Sequence, residues 1–304
     1  MKREFGAIVV RARARLHLGL VKISDDPGFI SAGITIQHPF SQIKVCCTKH
    51  KQCGGFAQRD VERAKRLVGT VREYKAESII SIPRHEGFGS GTRRALSIAS
   101  AIMKLEKNRT SIYKTAEAMG RGERSMMGSL LFDKGGAAVD CGGTITCYKI
   151  PQKWRVIVIK PKMFQRERKI FGVIEDQRFE KIKPLSGSKL KKFKDELSHT
   201  LVQGLASGNF KLFSNGICLL QKLAILQFGH LQVGSASTEM GKELLAQLKE
   251  QGFMAAGQSS WGPTLFVIIG NSKDGARIID WLETTGKIES ATMTRISRSG
   301  MNFS

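Results

Sequence analysis

The sequence predicts an α+β protein whose two halves meet near residue 150. Residues 7–18 alternate between apolar and polar side chains after Val10, which is the period of a strand with one polar face. Residues 92–106 instead place apolar side chains at helical spacing. The pattern starts again after Pro151 with further strands and helices. Strands and helices mixed in this order are typical of an α+β architecture.

The first half contains three predicted strands and three predicted helices. The strands cover 7–18, 41–47 and 78–82, and the helices cover 59–69, 92–106 and 111–120. Gly-rich turns lie at 87–91 and from residue 120 onward. Thr92 follows the first of these turns, and we predict that its hydroxyl caps the amino end of the helix.

The second half begins with a predicted strand over 154–159, and helical stretches follow near 189–207, 210–227 and 236–251. The run Thr-Leu-Phe-Val-Ile-Ile at 264–269 predicts a strong strand, before a helix near 274–285 and a last strand near 288–296. These patterns divide the chain into domains of residues 1–150 and 151–304.

Composition excludes several classes of protein. A chain of 304 residues with 41% hydrophobic and 25% charged residues is ordinary for a soluble globular protein. No run approaches the ~18–20 apolar residues of a membrane span, and the first residues do not read as a signal peptide. We therefore expect a cytoplasmic protein that does not enter a membrane.

Cys46, Cys47 and Cys53 cluster near His50, but ordinary reduced cysteines are favoured over a zinc site.

Net charge is the least ordinary bulk property, because 49 basic residues face 26 acidic ones for a formal charge of +23. Such a surface attracts polyanions. The basic residues are spread along the chain, aromatic content is only 7%, and no RNA-binding or zinc-finger pattern interleaves them. Nucleic acid is therefore a less favoured ligand than phosphorylated small molecules, and a nucleic-acid-binding protein remains an alternative.

The strongest local signal is the segment Pro-Arg-His-Glu-Gly-Phe-Gly-Ser-Gly-Thr at 83–92, between a predicted strand and a predicted helix. Glycines allow positive φ and close approach of a ligand to the backbone. Free N–H groups and the dipole at a helix start favour an anion, and Arg93 and Arg94 add charge there. The segment is predicted to cradle phosphate, although it is not a Walker A loop and a structural turn would use the same glycines.

A second Gly-rich segment, 120–128, carries Arg121 and Arg124. Guanidinium groups pair bidentately with phosphate or carboxylate, so this loop suits a second anion. An exposed loop with solvated arginines is the alternative.

A third segment, Gln-Ser-Ser-Trp-Gly-Pro at 258–263, places an amide, two hydroxyls and an indole in a turn before a predicted strand. This set is hard to explain as packing. A fourth segment puts Arg13, Arg15 and His17 on one face of the first strand. That face would present cations to an anionic ligand, although a strand histidine is more often structural.

In this order, the four segments resemble the GHMP small-molecule kinase superfamily over nearly the whole chain. The superfamily's phosphate loop, Pro-x-x-x-Gly-Leu-Gly-Ser-Ser/Gly, is matched with phenylalanine in place of leucine by Pro83, Gly87, Gly89, Ser90 and Gly91. The resemblance implies an N-terminal domain like domain 2 of ribosomal protein S5 over 1–150. It implies a ferredoxin-like domain over 151–304.

Within the superfamily, the chain most resembles the β-ribofuranosylaminobenzene 5′-phosphate synthases. Residues 257–264 match their C-terminal motif residue for residue, and Arg15-Leu16-His17 resembles their opening motif. The loop at 120–125 resembles their Gly-Arg-Gly-x-x-Ser motif. The chain departs from their pattern at Lys22, where an acid is usual, and at the Met126-Met127 pair.

One position distinguishes the chain from many GHMP kinases, which carry Ser-Gly-x-Asp in the middle loop. Here Gly128 occupies the position of that Asp. A glycine cannot accept a proton from a substrate hydroxyl, which argues against phosphoryl transfer by the usual base. An ATP-dependent GHMP kinase that uses another base is a further alternative.

The resemblance implies phosphoribosyl transfer from phosphoribosyl diphosphate to 4-aminobenzoate, or to a 4-hydroxybenzoate-type acceptor, with release of CO2 and diphosphate in methanopterin biosynthesis. Mg2+ is expected with the diphosphate, without identified ligands, and a homodimer is the expected assembly. The expected phosphate-binding residues are Gly87, Gly89, Ser90, Gly91 and Thr92. The expected catalytic residues are Arg15 and His17, toward the acceptor carboxylate, with Arg121, Arg124 and Ser125. The expected substrate-binding residues are Gln258, Ser259 and Ser260.

Overall fold

The structure, a computed structural model, describes residues 6–25, 28–49, 56–123, 125–162, 182–229, 238–260 and 262–303. Its strands are β1 Ala7–Lys22, β2 Phe29–Thr48, β3 Glu73–Ile80, β4 Ala137–Cys141, β5 Ile145–Tyr148, β6 Arg155–Pro161, β7 Ala256–Gln258, β8 Leu265–Ile269, β9 Ile288–Arg295 and β10 Asn302–Phe303. Its α-helices are α1 Phe56–Val68, α2 Ser90–Leu105, α3 Ile112–Ala118, α4 Met127–Lys134, α5 Gly187–Leu197, α6 Gln203–Ser207, α7 Phe210–Phe228, α8 Glu239–Glu250 and α9 Lys273–Thr284. The predicted α+β class is confirmed.

The first sheet has the strand order β10-β1-β2-β4-β5, and β3 also pairs with β2. In β1, Val10, Ala12, Ala14 and Leu16 are fully buried while the residues between them are half-buried, as the period-two pattern predicts. Strand β2 begins at Phe29, well before the strand predicted at 41–47. Its first part is buried on both faces, which hides the alternation that identifies a strand.

Three elements of the first half were not predicted: α4, β4 and β5. We expected a Gly-rich loop to continue through residue 128, but α4 begins at Met127. Met127 packs where a side chain at Gly33 of β2 would otherwise lie, so a glycine in the strand makes room for the helix. A helix this short leaves little periodicity to detect, since it covers only two turns.

The second sheet has the order β7-β8-β6-β9, and all its pairs are antiparallel. The predicted helix at 189–207 is interrupted by a π-helical turn at Ser198–Val202 between α5 and α6. No helix among the described residues is long and apolar enough to cross a membrane.

One apolar core joins the two sheets. Leu16 and Ile34 of the first sheet belong to the same buried cluster as Trp154, Phe213 and Phe266 of the second half. In addition, β10 at the end of the chain pairs with β1 in the first sheet. The division of the chain at residue 150 stays a prediction.

Candidate active site

The Gly-rich segment after β3 forms a turn that ends at the first residue of α2. Gly87 and Gly89 have φ values of 87° and 69°, which glycine adopts without steric cost. Gly89 is the N-cap of α2, so the prediction that Thr92 caps the helix was wrong. The left-handed glycine already turns the chain into the helix at Ser90. Because a glycine N-cap has no side chain to accept from the first N–H groups, these stay available to an anion.

Arg15 of β1 lies directly against this turn. Its backbone N–H donates to the carbonyl of Phe88 at 3.2 Å, which ties the strand to the loop. A Cβ built on Gly89 would lie 2.9 Å from Arg15 Nε, and one built on Gly128 would lie 3.4 Å from the same atom. The Arg15 side chain therefore runs between the Gly-rich turn and the first turn of α4. Glycine on both sides leaves it room.

Arg93 is a second cation at this place, and the sequence analysis assigned it only a general charge. It is 0% exposed. Its Nε donates to the carbonyl of Arg13 at 2.7 Å and its NH1 donates to the carbonyl of Gly128 at 2.6 Å. Arg93 therefore joins β1, α2 and α4 at the site.

The two guanidinium groups carry buried N–H groups that nothing satisfies in the described part of the chain. These groups are Nε and NH1 of Arg15 and NH2 of Arg93. Neither arginine forms an ion pair with a described acid, whereas the neighbouring Arg94 pairs with Asp60 at 2.8 Å. An unpaired buried cation is costly, and each unsatisfied donor adds to that cost. An anion bound here would offset both.

Burial also shifts the acid–base properties of this pair. Desolvation lowers the pKa of Arg15 to about 10. Desolvation, followed by repulsion from the Arg15 charge, lowers the pKa of Arg93 to about 9. Both pKa values stay well above neutrality, so both side chains are cations at pH 7 and together attract a multivalent anion.

The turn after β7 closes the site from the second half of the chain. Ser259 is fully buried, and its hydroxyl donates to the carbonyl of Gly87 at 2.8 Å. The same hydroxyl accepts from the backbone N–H of His17 at 2.9 Å. A Cβ built on Gly262 would clash with the Gly87 backbone nitrogen, and one built on Gly87 would clash with the Ser259 carbonyl oxygen, so neither position has room for a side chain. Ser259 therefore holds the Gly-rich turn and β1 together.

The predicted substrate residues Gln258 and Ser260 lie in this same turn. The amide of Gln258 donates to the carbonyl of Ser260 at 2.9 Å, and Ser260 has a φ of 57°, rare for a residue with a side chain. Buried Gln221 of α7 supports the turn, because its amide donates to the carbonyls of Leu18 and Gln258 at 2.7 and 3.1 Å. Trp261 lies outside the described residues.

Arg121 of the middle loop reaches the first turn of α2. Its NH2 would lie 3.8 Å from a Cβ built on Gly91, and its Nε is buried without a partner in the described part of the chain. Burial lowers the pKa of Arg121, while the charge of Asp60 acts in the opposite direction. Arg121 is thus a third cation beside the turn. Arg124 lies outside the described residues.

Ser125 is tied into a buried hydrogen-bond cluster that the sequence analysis did not find. Its hydroxyl donates to Asp140 Oδ2 at 2.7 Å and accepts from the Met127 N–H and the Ser31 hydroxyl, each at 3.2 Å. Asp140 also accepts from the Gly143 N–H at 2.9 Å. All hydrogen-bonding positions of the Ser125 hydroxyl are in use, so this contact positions the start of α4. A catalytic role for Ser125 stays a prediction.

The predicted cationic face of β1 is divided between two places. Arg15 lies at the Gly-rich turn, but the guanidinium of Arg13 donates to the carbonyl of Gly300 at 2.5 Å near the end of the chain. A register irregularity lies between Arg13 and Arg15. His17 is 7% exposed and lies behind the Ser259 turn. Contact between His17 and an acceptor stays a prediction.

Solved structures with this arrangement of elements include small-molecule kinases and mevalonate diphosphate decarboxylases. Homoserine kinase from Cytophaga hutchinsonii superimposes with a TM-score of 0.75 at 12% identity, over 100% of this chain and 99% of that one. Mevalonate-3-kinase from Thermoplasma acidophilum gives 0.72 at 16% identity, over 99% of each chain. The chain has the GHMP kinase fold. The predicted fold is therefore confirmed, and identities this low establish the fold alone.

Sequence comparison adds a second similarity, although no family model matches the chain. Enzymes named beta-ribofuranosylphenol 5′-phosphate synthase are 20% identical over 86% of this chain in Methanothermobacter thermautotrophicus and 23% identical over 88% in Archaeoglobus fulgidus. The alignments cover 88% and 89% of those proteins. The predicted resemblance to ribofuranosyl phosphate synthases is confirmed. The names of these relatives describe a phenol product, whereas the product predicted from the sequence is an aminobenzene.

Proposed function

We propose that this chain is an enzyme that transfers a phosphoribosyl group from phosphoribosyl diphosphate to a 4-substituted benzoate. The observation that carries the proposal is the pair Arg15 and Arg93, two cations with buried, unsatisfied N–H groups and no acid partner among the described residues, beside a Gly-rich turn at a helix start. This combination suits a strongly anionic group such as diphosphate. The similarity to the ribofuranosylphenol phosphate synthases supports the same reaction class.

In the proposed reaction, the ribose replaces the carboxylate on one carbon of the ring. No proton has to be added or removed. The ring carbon that bears the carboxylate bonds to the anomeric carbon of the ribose while the bond from that carbon to diphosphate breaks. The bond between ring and carboxylate then breaks, its electrons restore the aromatic ring, and CO2 leaves. The products are an aryl riboside 5′-phosphate, CO2 and diphosphate.

Negative charge develops on the departing diphosphate, so the enzyme gains most from cations held there in advance. We place diphosphate at the N–H groups of Gly87, Gly89 and Ser90, with Arg15 and Arg93 on its inner side and Arg121 beside Gly91. This places Arg15 at the leaving group, where the sequence analysis assigned it to the acceptor carboxylate. The Gln258–Ser260 turn would face the acceptor.

The proposal also specifies which benzoate accepts the phosphoribosyl group. The relatives' names give a phenol product, which corresponds to a 4-hydroxybenzoate-type acceptor. The resemblance seen in the sequence implies 4-aminobenzoate, with this acceptor as the second candidate. Both donate electrons into the ring at the carbon that attacks, so both fit the chemistry. We propose that the hydroxyl-bearing acceptor is used in preference.

A protein-built magnesium site is not supported by the residues that the structure describes. They contain no group of three His, Cys, Asp or Glu side chains that could hold a metal ion. The acids nearest the Gly-rich turn are engaged, Asp60 with Arg94 and Glu86 with Lys160. His50 and Cys53, considered for zinc with Cys46 and Cys47, lie outside the described residues. We keep Mg2+ as a proposal in which the diphosphate oxygens bring the ion.

Homodimerisation and a cytoplasmic location stay predictions.

A direct assay tests the proposal against its alternatives. The protein is incubated with phosphoribosyl diphosphate, Mg2+ and carboxyl-labelled 4-hydroxybenzoate or 4-aminobenzoate, and labelled CO2 and diphosphate are measured together. Equal amounts of both products are expected, with a large loss in Arg15→Gln and none in Arg277→Gln, an exposed arginine of α9. ADP release from ATP with small alcohols would favour a kinase. Steeply salt-dependent RNA or DNA binding without CO2 release would favour a nucleic-acid-binding protein.

A further inference from the structure

A second pocket lies at the carboxyl end of α2, whereas the Gly-rich turn lies at the amino end of the same helix. Its volume is about 530 Å³, within the range of small-molecule sites. Because α2 has 16 residues, the two ends are about 24 Å apart at 1.5 Å per residue. A ligand in this pocket would therefore not touch Arg15 or the Gly-rich turn.

The floor of this pocket is apolar. Its apolar lining residues are Met103, Ile112, Phe132, Met301 and Phe303. They come from α2, α3, α4 and the last residues of the chain, so the floor is formed by elements distant in sequence. Methionine and phenylalanine together suit a flat apolar or aromatic group, since the thioether adapts its shape and the ring offers a face.

The rim of the pocket is cationic. Lys104, Lys107 and Arg109 line it with a single acid, Asp133, and none of the three cations forms an ion pair with another described residue. The ammonium of Lys104 lies 4.0 Å from the centroid of the Phe303 ring. A cation in this position can pair with the acidic group of a ligand whose apolar part lies on the aromatic floor.

Lys107 on this rim has a backbone conformation that is unusual for a residue with a side chain. It follows the C-cap Glu106 of α2 and has a φ of 53°. Helices usually place glycine at this left-handed position, because a side chain there is sterically unfavourable. The chain accepts that cost at a residue that lines the pocket.

We propose that this pocket is a second ligand site, which binds a small amphipathic anion with an apolar or aromatic body and one carboxylate, sulfonate or phosphate group. The apolar floor distinguishes it from a surface for nucleic acid, which would need a basic face with stacking or backbone contacts. It is also distinct from the proposed active site, whose described lining is polar around the Gly-rich turn.

The test uses two fluorescent probes that share their rings and differ in charge. Anilinonaphthalene sulfonate carries the acidic group, and N-phenylnaphthylamine lacks it. Each is titrated into the whole protein, with and without saturating diphosphate. Three variants are compared: Lys107→Glu reverses a rim charge, Ser100→Phe fills the pocket without changing charge, and Lys75→Glu reverses an exposed charge on β3 outside the pocket.

We expect one saturable sulfonate site that diphosphate does not displace. Its affinity should fall at least tenfold in Lys107→Glu and in Ser100→Phe, and less than twofold in Lys75→Glu. The uncharged probe should bind at least tenfold more weakly. Displacement by diphosphate, equal loss in Lys75→Glu, or unchanged binding in both pocket variants would each overturn the proposal.

Discussion

Replacing Gly128 by aspartate restores the acid that many kinases of this fold carry, and its consequences follow from the position of Arg15. A Cβ at residue 128 would lie 3.4 Å from Arg15 Nε and 4.0 Å from its Cζ, so an aspartate carboxylate would come within ion-pair distance. At about 4 Å and an effective dielectric constant of about 20, the attraction is about 4 kcal/mol. Desolvation of the new carboxylate offsets part of this attraction, which leaves about 3 kcal/mol.

Arg15 would then be engaged before diphosphate arrives. A loss of about 3 kcal/mol corresponds to a roughly 100-fold weaker affinity for diphosphate. Stability should change in the opposite direction, because the carboxylate neutralises an unpaired buried cation and lies in the first turn of α4, where the helix dipole favours an acid. We therefore expect weaker binding together with a higher melting temperature.

The assay is isothermal titration with diphosphate and phosphoribosyl diphosphate, combined with thermal unfolding. Gly128→Ala is the matched control, since it adds the same Cβ without the charge and should change affinity less than threefold. An aspartate variant that binds diphosphate as tightly as the alanine variant would refute the assignment of Arg15 to the leaving group. Acquired ADP release from ATP with small alcohols would instead support the kinase alternative.

Three further predictions concern the same site. Gly89→Val should abolish phosphoribosyl diphosphate binding measured by calorimetry, because a Cβ there would lie 2.9 Å from Arg15 Nε. Gly69→Val is the control and should bind normally, since Gly69 has the same φ of 69° but no neighbour within 4 Å of a Cβ. The unmodified protein should not release ADP from ATP at the ~1–100 per second of ordinary kinases, as a coupled assay with diverse alcohols would check. Arg121→Ala should weaken phosphoribosyl diphosphate binding at least tenfold, from about 1.5–3 kcal/mol per charged hydrogen bond, with little change in melting temperature. Equal Michaelis constants for Arg121→Ala and the exposed control Arg277→Ala would remove that loop from the site.

The sequence predicts best those elements that bury one face. Strand β1 alternates between buried and half-buried residues, and its period-two pattern identifies it directly. The first part of β2 has no such alternation, because α4 packs on one face and the shared core lies on the other. Helix α4 follows the same logic, since its packing depends on a glycine in β2 far from it in sequence. Local patterns cannot report a contact of that kind.

The site shows the same limit. Glycines in a strand–helix turn indicate a phosphate loop from local sequence alone, and the turn is present with its N-cap shifted to Gly89. Arg93 was visible only as charge in the first turn of a helix. On a helix, Arg93 lies on the same face as Leu96, three residues later, and this apolar neighbour was the signal in the sequence that Arg93 points inward. Nothing local indicates that Asp140 meets Ser125, because strand pairing and the turn before α4 create that contact.

One requirement of the proposed reaction explains both the absence of an acid at position 128 and the excess of cations beside it. A kinase of this fold must remove a proton from a hydroxyl, which calls for a base close to the transferred phosphoryl group. The phosphoribosyl transfer proposed here removes no proton, because the ring carbon forms the new bond and the carboxylate, not a proton, leaves that carbon as CO2, so that its bonding electrons restore the aromatic ring. Its demand is charge stabilisation on diphosphate, which Arg15 and Arg93 can meet only if no carboxylate competes for them. Glycine at 128 meets that condition, since it leaves room for Arg15 and adds no charge.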